Sequence, residues 1–305
     1  MEHDAIPEKP AGVDRRSLMG RLGAGAAGAA AVSAIAAGGL ALSARPAKAV
    51  PATNIDAEVL TFALNLEYLE AEFYLRAYFG YGLSTLSASN VTGAGTQGTV
   101  TGGSQVPFQN PAIRQYCQLL AVDELAHVQF IKGALGSAAV AEPNINLNTS
   151  FSMLAQAAGL IQAGQTFNPF ADDISFLIGA FIFEDVGVTA YNGAATLITN
   201  PDYLQAAASI LGTEAYHAGM IRTLLANIGA GQAANAVSAL RAKLSNAQDD
   251  QGIIIPGNSY NAASTDANGL CFARTTSQVL NIVYGGGAAG TGGLFFPNGL
   301  NGTIR

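Results

Sequence analysis

The 305-residue chain is short of charge: 11% of its residues are Asp, Glu, Lys or Arg, against 50% hydrophobic. That balance excludes a disordered chain and supplies ample material for a core, while the length fits one large domain or two small ones. Bases are the scarcest charges. Six of the 14 Lys/Arg and four of the 21 Asp/Glu fall in the first 49 residues, leaving eight bases against 17 acids, a net of −9. Eight scattered bases build no basic patch, which argues against nucleic acid as a partner. Cysteine is limited to Cys117 and Cys271. In an oxidising compartment two thiols either pair or stay free, and the apolar helical surroundings of Cys117 suit a free buried thiol. Histidine is equally rare, with only His127 and His217 beyond residue 49.

Residues 1–49 read as a targeting segment. Arg15-Arg16 is followed by Ser17-Leu18-Met19, an uncharged Gly/Ala-rich run over 23–44, and Ala47-Lys48-Ala49, a small-x-small cleavage site. This is the pattern of a bacterial twin-arginine export signal. It predicts a periplasmic or secreted protein with no stable membrane insertion after cleavage. The alternative is a retained anchor, since the run is long enough to span, although its Gly/Ala content makes insertion weak. No later segment reads as membrane-spanning. The twin-arginine route carries folded proteins, often with cofactors already loaded.

Four stretches of matching length predict long helices, over 56–79, 111–135, 172–198 and 202–228. Asn54 or Asp56 suits the first start and Gly80-Tyr81-Gly82 its end. Pro111 suits a first helical turn and Gly136 a stop. Each stretch would run about 35–40 Å at 1.5 Å per residue, the raw material of an all-α four-helix bundle. The tight Asn200-Pro201 turn makes helices three and four antiparallel. An uncharged Ser/Thr/Gly-rich segment over 84–110 predicts a long loop or irregular hairpin between helices one and two. Some 35 residues, with a short helix near 151–161, would let the chain cross the whole bundle between helices two and three. A fifth helix is expected over 233–247. These elements make residues 50–247 the bundle and the Gly/Asn/Pro-rich residues 248–305 an extension packed on it, with Phe272, Phe295 and Phe296 as anchors and 278–284 as a helical turn or strand.

Both histidines beyond residue 49 follow a glutamate by three residues: Glu124-x-x-His127 and Glu214-x-x-His217. Positions three apart share a helix face. With eight glutamates in 256 residues, chance gives the two units together about once in a thousand. A single such unit is usually a surface pair; two on charge-poor helices form the Glu-x-x-His signature of di-iron and di-manganese bundles. The other two helices should then each supply a glutamate. Residues 176–188 (FLIGAFIFEDVGV) are apolar apart from Glu184 and Asp185, and an unpaired carboxylate there would be costly. Helix one offers Glu67, with Glu70 as the weaker metal candidate and Glu72 as a solvated or salt-bridged side chain. Tyr74 lies seven residues after Glu67, and Tyr191 seven after Glu184, so each tyrosine shares its glutamate's face. Four carboxylates would neutralise two divalent ions, and two imidazoles suit iron or manganese. Asp123 is placed to accept the second ring N–H of the histidine on the facing helix. Thr213 occupies the matching position before Glu214, so the support is asymmetric. Asp185 is either a further supporting group or a surface residue.

Residues 65–77 (NLEYLEAEFYLRA) resemble the first helix of ferritins and bacterioferritins. Together with the two Glu-x-x-His units they give a resemblance to the ferritin-like superfamily over about 55–230. The sequence is more similar still to the desiccation-related ferritin-like proteins of plants and bacteria, which share the LEYLEAEF stretch and a Gly-rich, Phe-Pro-Asn-Gly-containing end like residues 293–302. The superfamily resemblance implies a carboxylate-bridged pair of iron or manganese ions on Glu67, Glu124, His127, Glu184, Glu214 and His217. The closer one implies a link to stress but no settled reaction. The 84–110 insert and the extension depart from ferritins and argue against a 24-subunit storage cage; a smaller homo-oligomer stays open.

Three functions follow as expectations. The first is an oxidoreductase acting on dioxygen or peroxide, ferroxidase-like or manganese-catalase-like. The second is a non-catalytic metal-binding or desiccation-protective bundle, and the third a structural bundle without metal.

Overall fold

The computed structural model of the protein describes residues 54–305, apart from positions 256, 258, 288 and 289. The export-signal reading of residues 1–49 lies outside the described residues. In chain order the elements are α1 (Asn54–Phe79), the one-turn α2 (Leu83–Leu86) and α3 (Ala88–Val91), β1 (Val100–Gly102), α4 (Pro111–Leu135), β2 (Ile145–Leu147), α5 (Thr149–Ala157), α6 (Asp173–Ala195), α7 (Pro201–Asn227), α8 (Gly231–Ser245), β3 (Ile254–Ile255), β4 (Ser259–Tyr260) and α9 (Thr276–Val283). The fold is an all-α bundle of the four long helices α1, α4, α6 and α7.

Local chemistry sets the helix starts. Asn110 and Asn200 each precede a proline at the first helical position. The side chain of Asn110 accepts from Ala112 N at 2.9 Å, and that of Asn200 from Asp202 N at 2.9 Å. These contacts satisfy donors that a helix N-terminus otherwise leaves free. Asp172 caps α6 through Ser175 N at 2.8 Å. Asp56 lies inside the first turn of α1, and its carboxylate accepts the Thr199 N–H at 2.6 Å.

Helix α1 packs mainly on α4, and α6 mainly on α7. The backbone N–H groups of Gln109 and Asn110, at the start of α4, donate to Asp173 at the start of α6 at 3.0 and 3.2 Å. Helices α4 and α6 therefore begin at the same end and run parallel, so residues 136–172 must travel back along the bundle. Every residue of α6 from Phe176 to Tyr191 is buried. Among the described residues it is the one helix long and apolar enough to cross a membrane, but 89% of its most apolar window is buried inside the protein. It is a core helix.

The 84–110 segment is neither a plain loop nor a hairpin. Its strand β1 pairs in parallel with β2 of the crossover, Val100 opposite Ile145. A local reading of the sequence cannot show a partner 45 residues away. Gly98 permits this approach, since a Cβ there would lie 2.2 Å from Asn144 N. Residues 278–284 resolve as helix, α9, with a capping box at Thr275 and Gln278. Phe295 and Phe296 are fully buried, and Phe295 packs on Phe151 and Phe183 at 5.1 and 5.0 Å between ring centres. Near the C-terminus, Asn301 N donates to Asn65 Oδ1 at 3.0 Å while Asn65 Nδ2 donates to Asn301 O at 2.9 Å, a two-way clasp onto α1. Cys117 is buried, Cys271 exposed, and both are free thiols.

Candidate metal centre

Four helices bring six side chains to one point in the core. Helix α1 contributes Glu67, α4 Glu124 and His127, α6 Glu184, and α7 Glu214 and His217. Glu67, Glu124 and Glu214 are completely buried, Glu184 and His217 1% exposed, and His127 9% exposed. His127 Nδ1 lies 3.2 Å from Glu67 Oε2, 3.1 Å from Glu124 Oε2 and 3.5 Å from Glu214 Oε1. His217 Nδ1 lies 3.1 Å from Glu124 Oε1 and 3.3 Å from Glu184 Oε2. The two rings are 6.5 Å apart between centres.

The donors fall into two groups, each able to hold an ion with its atoms within 4.8 Å of one another. One is Glu67, Glu124, His127 and Glu214; the other is Glu124, Glu184, Glu214 and His217. Glu124 and Glu214 belong to both, the arrangement needed for carboxylates that bridge a metal pair. Glu70 belongs to neither. Three residues beyond Glu67, it is turned about 60° around the helix, and its buried carboxyl lines a cavity beside the centre.

A supporting layer surrounds the groups. Asp123 Oδ2 lies 3.1 Å from His217 Nε2. That contact suits a proton on Nε2, which would leave Nδ1 as the ligand atom when a metal is bound. No such partner precedes Glu214: the Thr213 hydroxyl donates back to Ser209 O at 3.3 Å. The tyrosines cross over. Tyr74 of α1 donates to Glu184 of α6, and Tyr191 of α6 donates to Glu67 of α1. Sharing a helix face with a glutamate, as the sequence spacing indicates, does not bring each tyrosine onto the glutamate of its own helix. Seven residues separate them by about 10 Å along the axis, whereas the facing helix brings the other glutamate alongside.

The electrostatics of the bare cluster follow from burial. It pushes the Glu67 carboxyl up to about 7, against the opposing pull of His127. Burial and four neighbouring carboxylates push Glu214 well above the usual range. Burial also raises Glu184, opposed by His217. Glu124 goes the other way: the two imidazoles override burial and hold it below the usual range. Both histidines are raised against burial by the surrounding carboxylates. Glu70 is raised well above its usual value by burial and by Glu124, Glu184 and Glu67. Protons thus substitute for missing positive charge.

The donor set fits metal on a direct observation. Among the described residues, seven buried side-chain atoms have no hydrogen-bond partner. Five belong to this cluster: Glu124 Oε1, Glu184 Oε2, both Glu214 oxygens and His217 Nδ1, the last lying within 3.3 Å of the first two without hydrogen-bond geometry. Orphaned buried acceptors are costly and rare in a folded core, so five converging on one point call for a cation.

Asp185, next to Glu184, faces away from the centre. Its carboxylate takes Arg222 Nε at 2.8 Å and Arg241 Nη2 at 2.7 Å. These arginines, and Arg274 beyond them, carried no local sequence signal because they come from other elements. Gly187 was also missed. A Cβ there would lie 2.1 Å from Glu214 Oε2, so glycine makes room for the shared carboxylate. An isolated glycine in an apolar helix was the available signal.

Comparison with known proteins gives the family. The family model for the ferritin-like domain matches residues 55–227, more than half of the chain. The chain belongs to the ferritin-like family. This ferritin-like protein is 26% identical over 268 residues to the ferritin-like catalase Nec2 of Nesocodon mauritianus, covering 82% of this chain and 84% of that one. It is 30% identical over 244 residues to the desiccation-related protein PCC13-62 of Craterostigma plantagineum, covering 74% and 76%. No solved structure matches it significantly.

Proposed function

We propose that this ferritin-like protein binds two ions of iron or manganese and acts on dioxygen or peroxide in stress protection. The observation that carries the reading is the set of five orphaned atoms within two overlapping donor groups. Glu67 and His127 would serve one ion, Glu184 and His217 the other, and Glu124 and Glu214 both. Such a pair, when bound, supplies two-electron redox chemistry between the +2 and +3 states. The chain's own contribution is to hold the donors. Asp123 keeps the Nε2 proton on His217, the crossed tyrosines orient Glu67 and Glu184, and burial excludes bulk water. A relative named as a catalase supports peroxide as substrate.

A relative named as desiccation-related supports the second reading, a protective bundle in which metal serves stability. We further propose export by the twin-arginine route, on the strength of Arg15-Arg16 and the Ala47-Lys48-Ala49 site. The partners proposed are small: the oxidant and the metal ions.

The test is metal analysis of protein purified from its native compartment, combined with assays of peroxide loss and Fe(II) oxidation. The expected result is about two ions per chain and turnover that Glu184→Ala abolishes. Unchanged turnover in that variant rejects the mechanism. Bound metal without turnover under either oxidant selects the protective reading.

A further inference from the structure

The outward face of α4 and α7 is apolar. Leu119 and Phe130 of α4 and Leu204 and Tyr216 of α7 are 38–76% exposed, and a groove of about 430 Å³ runs between Tyr116 and the stretch from Ala215 to Asn227. Over 115–133 and 204–227 the charged side chains are occupied elsewhere. Glu124, Glu214 and Arg222 are buried, Lys132 turns to Tyr68 and Thr92, and Asp123 meets His217. In a chain whose residues beyond 49 carry a net charge of −9, such a face is an exception. Its glycines are a second one. Six glycines interrupt the four long helices. Those of α6 are required by close neighbours: a Cβ would lie 2.7 Å from Pro169 at Gly179, 2.1 Å from Glu214 at Gly187 and 1.9 Å from Arg274 at Gly193. On α4 and α7, a Cβ at Gly133 or Gly212 would meet nothing within 4 Å, and one at Gly219 would make an ordinary contact with Ala262 at 3.5 Å. Glycine inside a helix is destabilising relative to alanine, and among the described residues no neighbour calls for these three. Close approach by a second surface does.

We propose that this face is the interface of a two-fold homodimer, in which the second copy also covers the exposed edge of the metal centre. An acidic chain that packs on itself must do so where like charges do not face each other, and α4 and α7 offer such a place. Size agrees. Two helices of 25 and 27 residues present a face of roughly 40 by 20 Å, about 800 Å² per copy, the area of a standard stable interface. Charge at the rim agrees as well. The Tyr203 hydroxyl at the start of α7 lies 3.5 Å from Ala134 O at the end of α4, so these helices are antiparallel. Exposed Arg114, over the Tyr78 ring, and exposed Asp202 therefore mark opposite ends of the face. A two-fold axis through its middle sets the Arg114 end of each copy on the Asp202 end of the other. Between those ends, Asp123, whose side chain is 32% exposed, lies 3.1 Å from His217 Nε2, and the second copy shuts that contact from water. The sealing role rests on the dimetal reading above; the interface does not.

The test is sedimentation equilibrium of the full-length protein, with metal content measured on every sample. The parent should be a dimer at about 10 µM, as a Kd in the micromolar range or below requires; a monomer there overturns the proposal. Gly212→Phe should weaken the dimer about tenfold or more with metal content unchanged. Gly212→Ala should weaken it several-fold yet raise the Tm of the dissociated protein, a trade that a glycine needed within its own chain would not show. Arg114→Glu and Asp202→Arg should each weaken it about fivefold, and the two together should return it to within about threefold of the parent. Met153→Glu, on an exposed side chain of α5, is the control and should leave it unchanged. A dimer as tight in Gly212→Phe as in the parent overturns the proposal, as does one that Met153→Glu breaks. If Gly212→Phe does not fold, a double charge variant no tighter than the single ones overturns it instead. Chelator should strip metal several-fold faster from protein diluted to monomer, and equal rates overturn the sealing role. A dimer that holds no metal overturns the dimetal reading and leaves the interface standing.

Discussion

Two buried ionic clusters flank the same turn of α6, and they are built on opposite principles. Asp185 faces a network of Arg222, Arg241, Arg274, Asp249 and Asp250, three cations against three anions. Arg241 reaches both Asp185 and Asp250, and Arg274 reaches both Asp249 and Asp250, at 2.7–2.9 Å. No atom of that network lacks a partner among the described residues. Glu184, one residue earlier, faces a cluster with four carboxylates and two imidazoles, five of whose atoms have none. Self-neutralising burial holds structure together; burial with an excess of lone pairs waits for a cation from outside. Sequence proximity says nothing about which of the two a carboxylate joins, because adjacent positions on a helix point about 100° apart.

Five measurements sharpen that contrast. The largest effect is expected from Arg241→Met, which leaves three buried carboxylates against two cations, with Asp185 held by Arg222 alone and Asp250 by Arg274 and Ser238. Removing one partner of a buried pair costs about 3–5 kcal/mol, so thermal or urea unfolding should show the metal-free and metal-loaded protein losing stability alike. Glu214→Gln in the metal-free protein should change stability by no more than about 1 kcal/mol, since burial and its neighbours already hold that carboxyl protonated; a loss as large as that of Arg241→Met would erase the distinction.

Added iron or manganese should stabilise the parent by about 2.7 kcal/mol at a hundredfold excess over Kd, read as a rise in Tm. Glu124→Ala should show no such rise.

A smaller effect concerns pH. Glu67 is raised from 4.5 to about 7, so between those values the folded metal-free protein binds more protons than the unfolded chain. Stability therefore falls as pH rises through that window. The raised histidines act in the same direction above their ordinary 6.5. Melts in chelator should lose several degrees between pH 5 and 8, and metal-loaded melts should stay nearly flat. The smallest change is expected for Tyr191→Phe. It removes one hydrogen bond to Glu67 and should weaken metal binding by less than about tenfold, since a net hydrogen bond is worth about 1 kcal/mol.

The long helices were legible because each carries its own punctuation, such as Asn110-Pro111 at one start and Asn200-Pro201 at another. The six converging side chains were legible because spacing within a helix fixes a face, and scarcity of charge made each glutamate conspicuous. What escaped is whatever depends on a partner from elsewhere in the chain. The crossing of Tyr74 and Tyr191 depends on which helix faces which. The β1–β2 pairing joins two loops, and the arginines around Asp185 arrive from α7, α8 and the segment before α9. Glu72, read as solvated or salt-bridged, is salt-bridged to Arg76 at 2.6 Å, and its burial depends on the Leu83 N–H that meets its other oxygen.

The clasp between Asn65 and Asn301 joins positions 236 apart in the chain. Asn65 stands two residues before Glu67, so the C-terminal segment is fastened to α1 within a turn of a candidate donor. Replacing Asn65 by leucine would remove both hydrogen bonds at once and release that segment from α1, while the packing of α1 on α4 and of α6 on α7 stays in place.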